Sequence, residues 1–178
     1  MKLEIVSATR KDETFWAQSA LGLSSRRLAF DRAARVHDLG QQQQRACRHV
    51  QFEITARDGA DVLVFAHDDV WLDDCFIVEH VAEGLNAFDL IGVVGNRRRT
   101  PKQPGWAFLE RAPNGEWRWD DAANLSGAIA HGAMSFGPVV NYGPGGRCEL
   151  LDGVLLAAAV AAGGCGSALR PGLTIPPL

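Results

Sequence analysis

The 178-residue chain has the length of one domain, and its 47% hydrophobic and 22% charged residues argue against disorder or a fibrous architecture. Its 18 basic and 21 acidic residues leave a net charge of −3, which gives no overall attraction to nucleic acid and argues against a dedicated DNA-binding domain. The four cysteines lie far apart without a Cys-x-x-Cys pair, so neither a zinc ribbon nor a disulfide framework is indicated.

The first third of the chain predicts two strands, each followed by helical sequence. Residues 2–8 are typical of a short buried strand, and Asp12 stands where a helix cap would be, ahead of a mixed segment over residues 15–21. Residues 35–37 predict a second short strand. Residues 41–57 lack glycine and proline, are rich in helix formers and end at an Asp-Gly pair, which favours a helix.

The middle of the chain continues this alternation. The apolar run at residues 61–66 predicts a central parallel strand that is covered on both faces, and His67-Asp68-Asp69 follows its carboxyl end. Asp73-Asp74 can cap a helix over residues 76–85, and residues 90–94 predict another buried strand. Strands that alternate with helices predict an α/β fold with a mostly parallel central sheet flanked by helices.

The remaining sequence predicts an insert, a last strand and a tail. Residues 95–146 are expected to form a loop-rich insert with short strands, including a hairpin that turns at Asn114-Gly115. Residues 149–157 resemble an ordinary strand. Residues 158–178, rich in Ala, Gly and Pro, are expected to be a mobile or non-native tail.

The chain also lacks the sequence features of a membrane or secreted protein. No stretch reaches the ~18 apolar residues that a membrane span needs. The amino terminus begins with a strand-like run rather than a basic and then apolar leader. We therefore expect a cytoplasmic protein without a transmembrane segment.

The strongest functional signal is the pair of acids after the apolar strand. Open α/β folds bind ligands at the carboxyl edge of their parallel strands, which is where Asp68 and Asp69 are expected to lie. Two carboxylates suit Mn²⁺ or Mg²⁺, which would bridge a nucleotide diphosphate, and His67 could add a ligand or a hydrogen bond. The alternative is that Asp68 or Asp69 only caps the following turn.

This motif also carries a family resemblance. Residues 64–70, with the sequence Val-Phe-Ala-His-Asp-Asp-Val, resemble the strand and acidic motif of family-two-like bacterial glycosyltransferases. Residues 3–10, 91–99 and 149–157 resemble that family's nucleotide-contacting first strand, basic segment and acceptor-side strand. The resemblance implies a GT-A-like (Rossmann-like) nucleotide-sugar-binding domain over residues 1–157. It also implies sugar transfer from a nucleotide-diphosphate donor to a hydroxyl acceptor with Mn²⁺ or Mg²⁺.

The resemblance assigns the donor site as well. It implies that Asp68 and Asp69 hold the metal and the diphosphate, with Asp69 as the first choice for the metal contact and His67 beside them. A basic run at residues 97–99 could touch phosphate or acceptor, or it could be a solvated loop. The other implied donor contacts are Ser7, Ala8, Thr9, Arg10, Arg97 and Arg99.

Acceptor-side candidates occur in the second half of the chain. Gly153 permits close approach of the backbone to a sugar and Asp152 could accept hydroxyl hydrogen bonds, although a simple turn is an equal alternative. Three tryptophans could form a stacking platform or complete a core, and one histidine could face the pocket or be structural. These residues are Trp106, Trp117, Trp119 and His131.

One departure from the family pattern concerns the catalytic base. Inverting members carry an acid well after the strand that residues 149–157 resemble, and this chain has no acid after Asp152. Either Asp152 or Glu149 serves as the base, or the chain is a truncated, inactive nucleotide-sugar-binding domain. A second alternative is a metal-dependent phosphohydrolase built on the His67-Asp68 pair.

Overall fold

A computed structural model of the protein describes residues 1–9, 14–28, 34–39 and 59–160. Asp12 and the helix expected over residues 41–57 lie outside these ranges, and so do Arg10 and residues 161–178. Short 3-10 helices occupy Arg26–Leu28 and Ala122–Asn124. The other described elements are β1 (Leu3–Ala8), α1 (Phe15–Gln18), α2 (Ala20–Ser25), β2 (Ala34–Leu39), β3 (Val62–Ala66), α3 (Ile77–Ala87), β4 (Leu90–Gly92), β5 (Val94–Asn96), β6 (Phe108–Arg111), β7 (Trp117–Trp119), β8 (Leu125–Ala130), β9 (Val139–Gly143), β10 (Leu150–Leu151) and β11 (Leu155–Ala159).

A five-stranded sheet has the order β2-β1-β3-β11-β4. β1 runs parallel to β2 and to β3, whereas β11 lies antiparallel between β3 and β4. The apolar runs predict β1 and β3 correctly, and alternate residues such as Ile5 and Val64 are fully buried. The strand expected at residues 35–37 is confirmed as part of β2.

Helices pack on this sheet and complete the core. α1 and α2 contribute Phe15 and Leu21, and α3 contributes Ile77 and Val81, which lie four residues apart and so share one face. At the start of α2 the Ser19 side chain accepts a hydrogen bond from the Gly22 N–H at 2.8 Å. The helix expected over residues 76–85 is confirmed.

The chain passes from the five-stranded sheet directly into a second sheet. The strand expected over residues 90–94 is divided at Val93, because β4 belongs to the five-stranded sheet and β5 to an antiparallel sheet of order β10-β5-β8-β9. β6 and β7 form the hairpin expected at Asn114-Gly115, where Gly115 has a φ of 88°. The single strand expected over residues 149–157 is also divided, since the turn at Asp152-Gly153 separates β10 from β11.

The expected fold class, a GT-A-like α/β fold with a mostly parallel, helix-flanked sheet, is therefore wrong. In the part of the chain that the structure describes, strand exceeds helix, two of the three sheets are wholly antiparallel, and there are only three α-helices. Residues 95–146, expected to be a loop-rich insert with short strands, hold most of β5 and all of β6 to β9. The physical reason is that this part of the chain reverses through short turns, which join antiparallel strands without crossover helices.

No helix among the described residues is both long and apolar enough to cross a membrane.

Candidate functional site

The candidate site is the edge of the five-stranded sheet where β1 and β3 end. Because these two strands are parallel, their carboxyl ends meet, and Thr9 lies next to the acidic motif. The Thr9 hydroxyl donates to Oδ2 of Asp68 at 2.6 Å. Thr9 is buried, so this hydrogen bond fixes the orientation of the Asp68 carboxylate. Two of the residues that the family resemblance implies for the donor site, Thr9 and Asp68, are thus in direct contact.

The start of β11 reaches the same edge. β11 is antiparallel to β3, so Leu155 lies opposite Ala66 and the His67 N–H donates to the Val154 carbonyl at 3.1 Å. This pairing places the Asp152-Gly153 turn beside the acidic motif. Oδ1 of Asp152 accepts the Val154 N–H at 2.8 Å, and Gly153 is exposed with open space where a Cβ would be.

The acidic motif presents its charged groups to solvent. The Asp69 side chain is 84% exposed and that of His67 is 58% exposed, with 4.0 Å between Nδ1 of His67 and Oδ1 of Asp69. Asp68 is half-buried and uses one carboxylate oxygen for Thr9. Within the described ranges, no group of three or more His, Cys, Asp or Glu side chains is placed to hold a metal ion. Among the described side chains, Asp68 and Asp69 are the candidate carboxylate ligands for a cation at this edge.

The backbone of the motif is held from behind by α2. The Leu21 N–H donates to the Asp68 carbonyl at 3.2 Å, and the Ser24 hydroxyl accepts the Leu72 N–H at 3.0 Å. Ser7 is fully buried, and its hydroxyl has no hydrogen-bond partner among the described residues. Ala8 ends β1 opposite Leu39. The segment that carries the acids is therefore anchored on a rigid element, as a preorganised site requires.

The basic run at residues 97–99 does not act as one unit. Arg97 donates to the Pro144 carbonyl at 2.6 Å, and Arg98 pairs with Asp120. Arg99 contributes its backbone N–H to Oε2 of Glu149 at 3.1 Å. These contacts belong to the second sheet and its loops rather than to the acidic motif, and the donor-phosphate role of Arg97 and Arg99 stays a prediction.

The acceptor candidates Trp106 and His131 meet at Tyr142, which the sequence did not single out. The Trp106 and Tyr142 rings are edge to face with centroids 4.9 Å apart, and Nε2 of His131 lies 3.3 Å from the Tyr142 hydroxyl. Trp119 stacks on Tyr142 at 6.2 Å with an interplanar angle of 17°. We call these rings the aromatic cluster: Trp106, Phe108, Trp117, Trp119 and Tyr142.

Asp73 connects the loop after β8 to the segment after the acidic motif. Its Oδ1 accepts from Arg27 at 2.9 Å and its Oδ2 accepts the Phe136 N–H at 2.6 Å. The Arg27 guanidinium also lies 5.1 Å from the centroid of the Phe136 ring. Sequence reasoning treated Asp73 only as a helix cap, and no local pattern signals its link to a residue more than sixty positions away.

Comparison with known proteins does not identify a family. No protein-family model matches the chain, and no curated protein matches it.

Proposed function

We propose that the protein is a glycosyltransferase that moves a sugar from a nucleotide-diphosphate donor to a hydroxyl acceptor with a divalent cation. The observation that supports this most directly is the convergence of Thr9, the Asp68-Asp69 pair and the Asp152-Gly153 turn at one sheet edge. Direct displacement at a sugar carbon requires that the residues binding the metal and the donor lie close to a carboxylate on the acceptor side.

The donor atoms at this edge fit Mn²⁺ or Mg²⁺. Asp69 has an exposed carboxylate. The Thr9 hydroxyl binds Oδ2 of Asp68, so Oδ1 of Asp68 is the oxygen that can bind a cation. Mg²⁺ is commonly held by one or two carboxylates, with water and substrate phosphate oxygens as the other ligands. When bound, the cation would offset the negative charge that develops on the leaving diphosphate.

Asp152 is the candidate base for the acceptor hydroxyl. Its Oδ1 already accepts the Val154 N–H, so Oδ2 is the oxygen available to take a proton. A nucleotide-sugar-binding protein without transfer activity is the second candidate. The bond to Val154 favours it, because a carboxylate that stabilises its own turn has an ordinary structural role.

Nucleotide-dependent stabilisation tests the donor site. We expect uridine or guanosine diphosphate with Mn²⁺ to raise the melting temperature by roughly 5–10 °C at about 100 times Kd, and Asp69→Ala to abolish the rise. The control is Asp89→Ala, which removes an exposed carboxylate just before β4, at the opposite edge of the sheet. An Asp69→Ala protein that responds like the parent contradicts the proposed site.

A second assay separates the two candidates. In the glycosyltransferase, Asp152→Asn should keep the nucleotide-dependent rise and lose release of nucleoside diphosphate from a nucleotide sugar in the presence of acceptor. If the parent protein binds nucleotide but releases no nucleoside diphosphate from the nucleotide sugar, the second candidate, a binding protein without transfer activity, is correct. Release of inorganic phosphate from nucleotide without acceptor contradicts both.

A further inference from the structure

The β6–β7 hairpin has one aromatic and one charged face. Trp117 and Trp119 are two residues apart on β7 and so project from the same face, while Arg118 on the other face pairs with Glu110 at 2.9 Å. The Phe108 ring packs between the two indoles, with centroid distances of 5.4 Å to Trp117 and 4.8 Å to Trp119. The hairpin thus carries three contiguous rings on one surface.

These indoles are more exposed than a structural role requires. Phe108 lies at the centre of the three rings and is half-buried. Its packing has an ordinary structural role, since a two-stranded hairpin needs side-chain contacts to be stable. Yet Trp117 and Trp119 leave 47% and 51% of their surface open. Contiguous exposed aromatic surface of this kind marks a binding site rather than a core.

Polar groups line the rim of the aromatic cluster. The cluster extends from the hairpin to Tyr142 on β9, where the hydroxyl and the His131 imidazole lie 3.3 Å apart. The Arg111 guanidinium lies 5.5 Å from the centroid of the Trp117 ring. Flat rings bordered by hydrogen-bonding groups suit a pyranose, because its C–H face stacks on an aromatic ring while its hydroxyls need partners at the side.

One loop links the cluster to the segment that follows the candidate site. His131 begins the loop whose Phe136 N–H is bound by Asp73, and Asp73 lies four positions after Asp69 in the chain.

We propose that the aromatic cluster binds a carbohydrate chain and, resting on the proposed function, that this chain is the acceptor. A lipid surface suits the hairpin less well, since Arg118 is paired with Glu110 and the cluster is bordered by hydrogen-bonding groups. The ligand class is thus defined by stacking on Trp117 and Trp119 together with hydrogen bonds to the rim.

The test is titration of the full chain with soluble hexasaccharides of α-glucose, β-glucose, β-N-acetylglucosamine and mannose, followed by tryptophan indole N–H resonances. We expect the Trp117 and Trp119 signals to shift with at least one sugar, and Trp119→Ala to weaken that affinity by about tenfold. Trp119→Leu, which keeps apolar bulk without a flat ring, should weaken it similarly, and Trp119→Phe should retain part of it. Trp16→Ala, at an exposed tryptophan on α1, is the matched control and should change nothing.

Three outcomes overturn the inference. These are no shift with any of the four sugars, equal weakening by Trp16→Ala, or binding to phosphatidylcholine–phosphatidylglycerol vesicles in place of sugars. Failure of this inference is distinguishable from failure of the proposed function. Asp69→Ala should lose the nucleotide response and keep sugar binding, whereas Trp119→Leu should do the reverse.

Discussion

The buried carboxylate of Asp120 organises the loops around the second sheet. Its side chain has no exposed surface and accepts hydrogen bonds from the Arg98 guanidinium, from Asn96 at 2.9 Å, from Asn124 at 3.1 Å and from the Asp121 N–H at 2.7 Å. Arg98 is the main cause that holds the pKa of this carboxyl far below its ordinary value, and the other donors add to it while burial opposes it. A single acid thereby ties the end of β5 to the 3-10 helix that precedes β8.

We expect Asp120→Asn to destabilise the protein by about 2–3 kcal/mol, because it removes the charge that Arg98 pairs with inside a buried network. Urea unfolding at neutral pH measures the change. The control is Glu110→Gln, which breaks the exposed pair with Arg118 and should cost about 0–1 kcal/mol. An equal loss of unfolding free energy in the two variants would show that the Asp120–Arg98 pair contributes no more than an exposed ion pair.

The same residue gives a pH dependence with a defined sign. The pKa of Asp120 is lowered in the folded protein. Its contribution to the free energy of unfolding is therefore complete above the unfolded-state pKa of about 4, and it is lost as pH falls below that value towards the folded-state pKa. The parent protein should therefore lose more stability between about pH 4 and pH 2 than Asp120→Asn does. Identical pH profiles would contradict this assignment.

At the scale of elements, the passage of the chain from one sheet to the other depends on Gly127. Val93 separates β4 from β5, and Gly127 on β8 is the residue paired with Val94. Gly127 has a φ of 91°, and a Cβ there would lie 2.0 Å from the Val93 carbonyl oxygen. Only glycine fits this close approach, at the point where the strand leaves the first sheet.

Gly127→Ala should therefore cost on the order of 3 kcal/mol or more, from both steric overlap and an unfavourable backbone conformation. The matched control is Gly145→Ala, where a Cβ meets no atom within 4 Å and φ is not in the left-handed region. Thermal unfolding of the two variants checks the difference. If both melt with the parent protein, the close approach at Val93 is not required for folding.

Buried apolar side chains are distributed unevenly over the molecule. The main hydrophobic cluster lies between the five-stranded sheet and its helices, with residues such as Leu3, Ile5 and Val64 almost inaccessible. The outer part of the antiparallel region is open, since Val139 and Val140 on the edge strand β9 are 67% and 42% exposed. Stability should follow this distribution, because local opening is easiest where few apolar groups are buried.

Hydrogen exchange measured by mass spectrometry should show this gradient. Amides of β1 and β3, which lie inside the five-stranded sheet, are expected to exchange slowest. Amides of β7 in the two-stranded hairpin and of the edge strand β9 are expected to exchange fastest among the strands. Uniform protection across the strands would mean that the two regions open as one unit.

Part of the candidate site could be predicted from residues near one another in sequence. An apolar run followed by adjacent acids predicts a strand that delivers carboxylates to a sheet edge, and β3 with Asp68 and Asp69 has this arrangement. The hydrogen bonds that assemble the site were not predicted, because they join residues far apart in the chain. Thr9 and Asp68 are 59 positions apart, and Asp73 and Phe136 are 63 apart, so no local pattern reveals the bonds between them.

By itself the sequence determined the local elements of this protein: the cores of β1 and β3, the helix α3, and the hairpin at Asn114-Gly115. These depend on hydrophobic periodicity and turn chemistry, which operate over a few residues. Only the tertiary structure decided the direction of β11, the division of the strand at Val93 and the meeting of Trp106 with His131 at Tyr142. Strand direction and pairing depend on how distant segments bury one another, and a short apolar run such as β11 does not show in which direction it will pair.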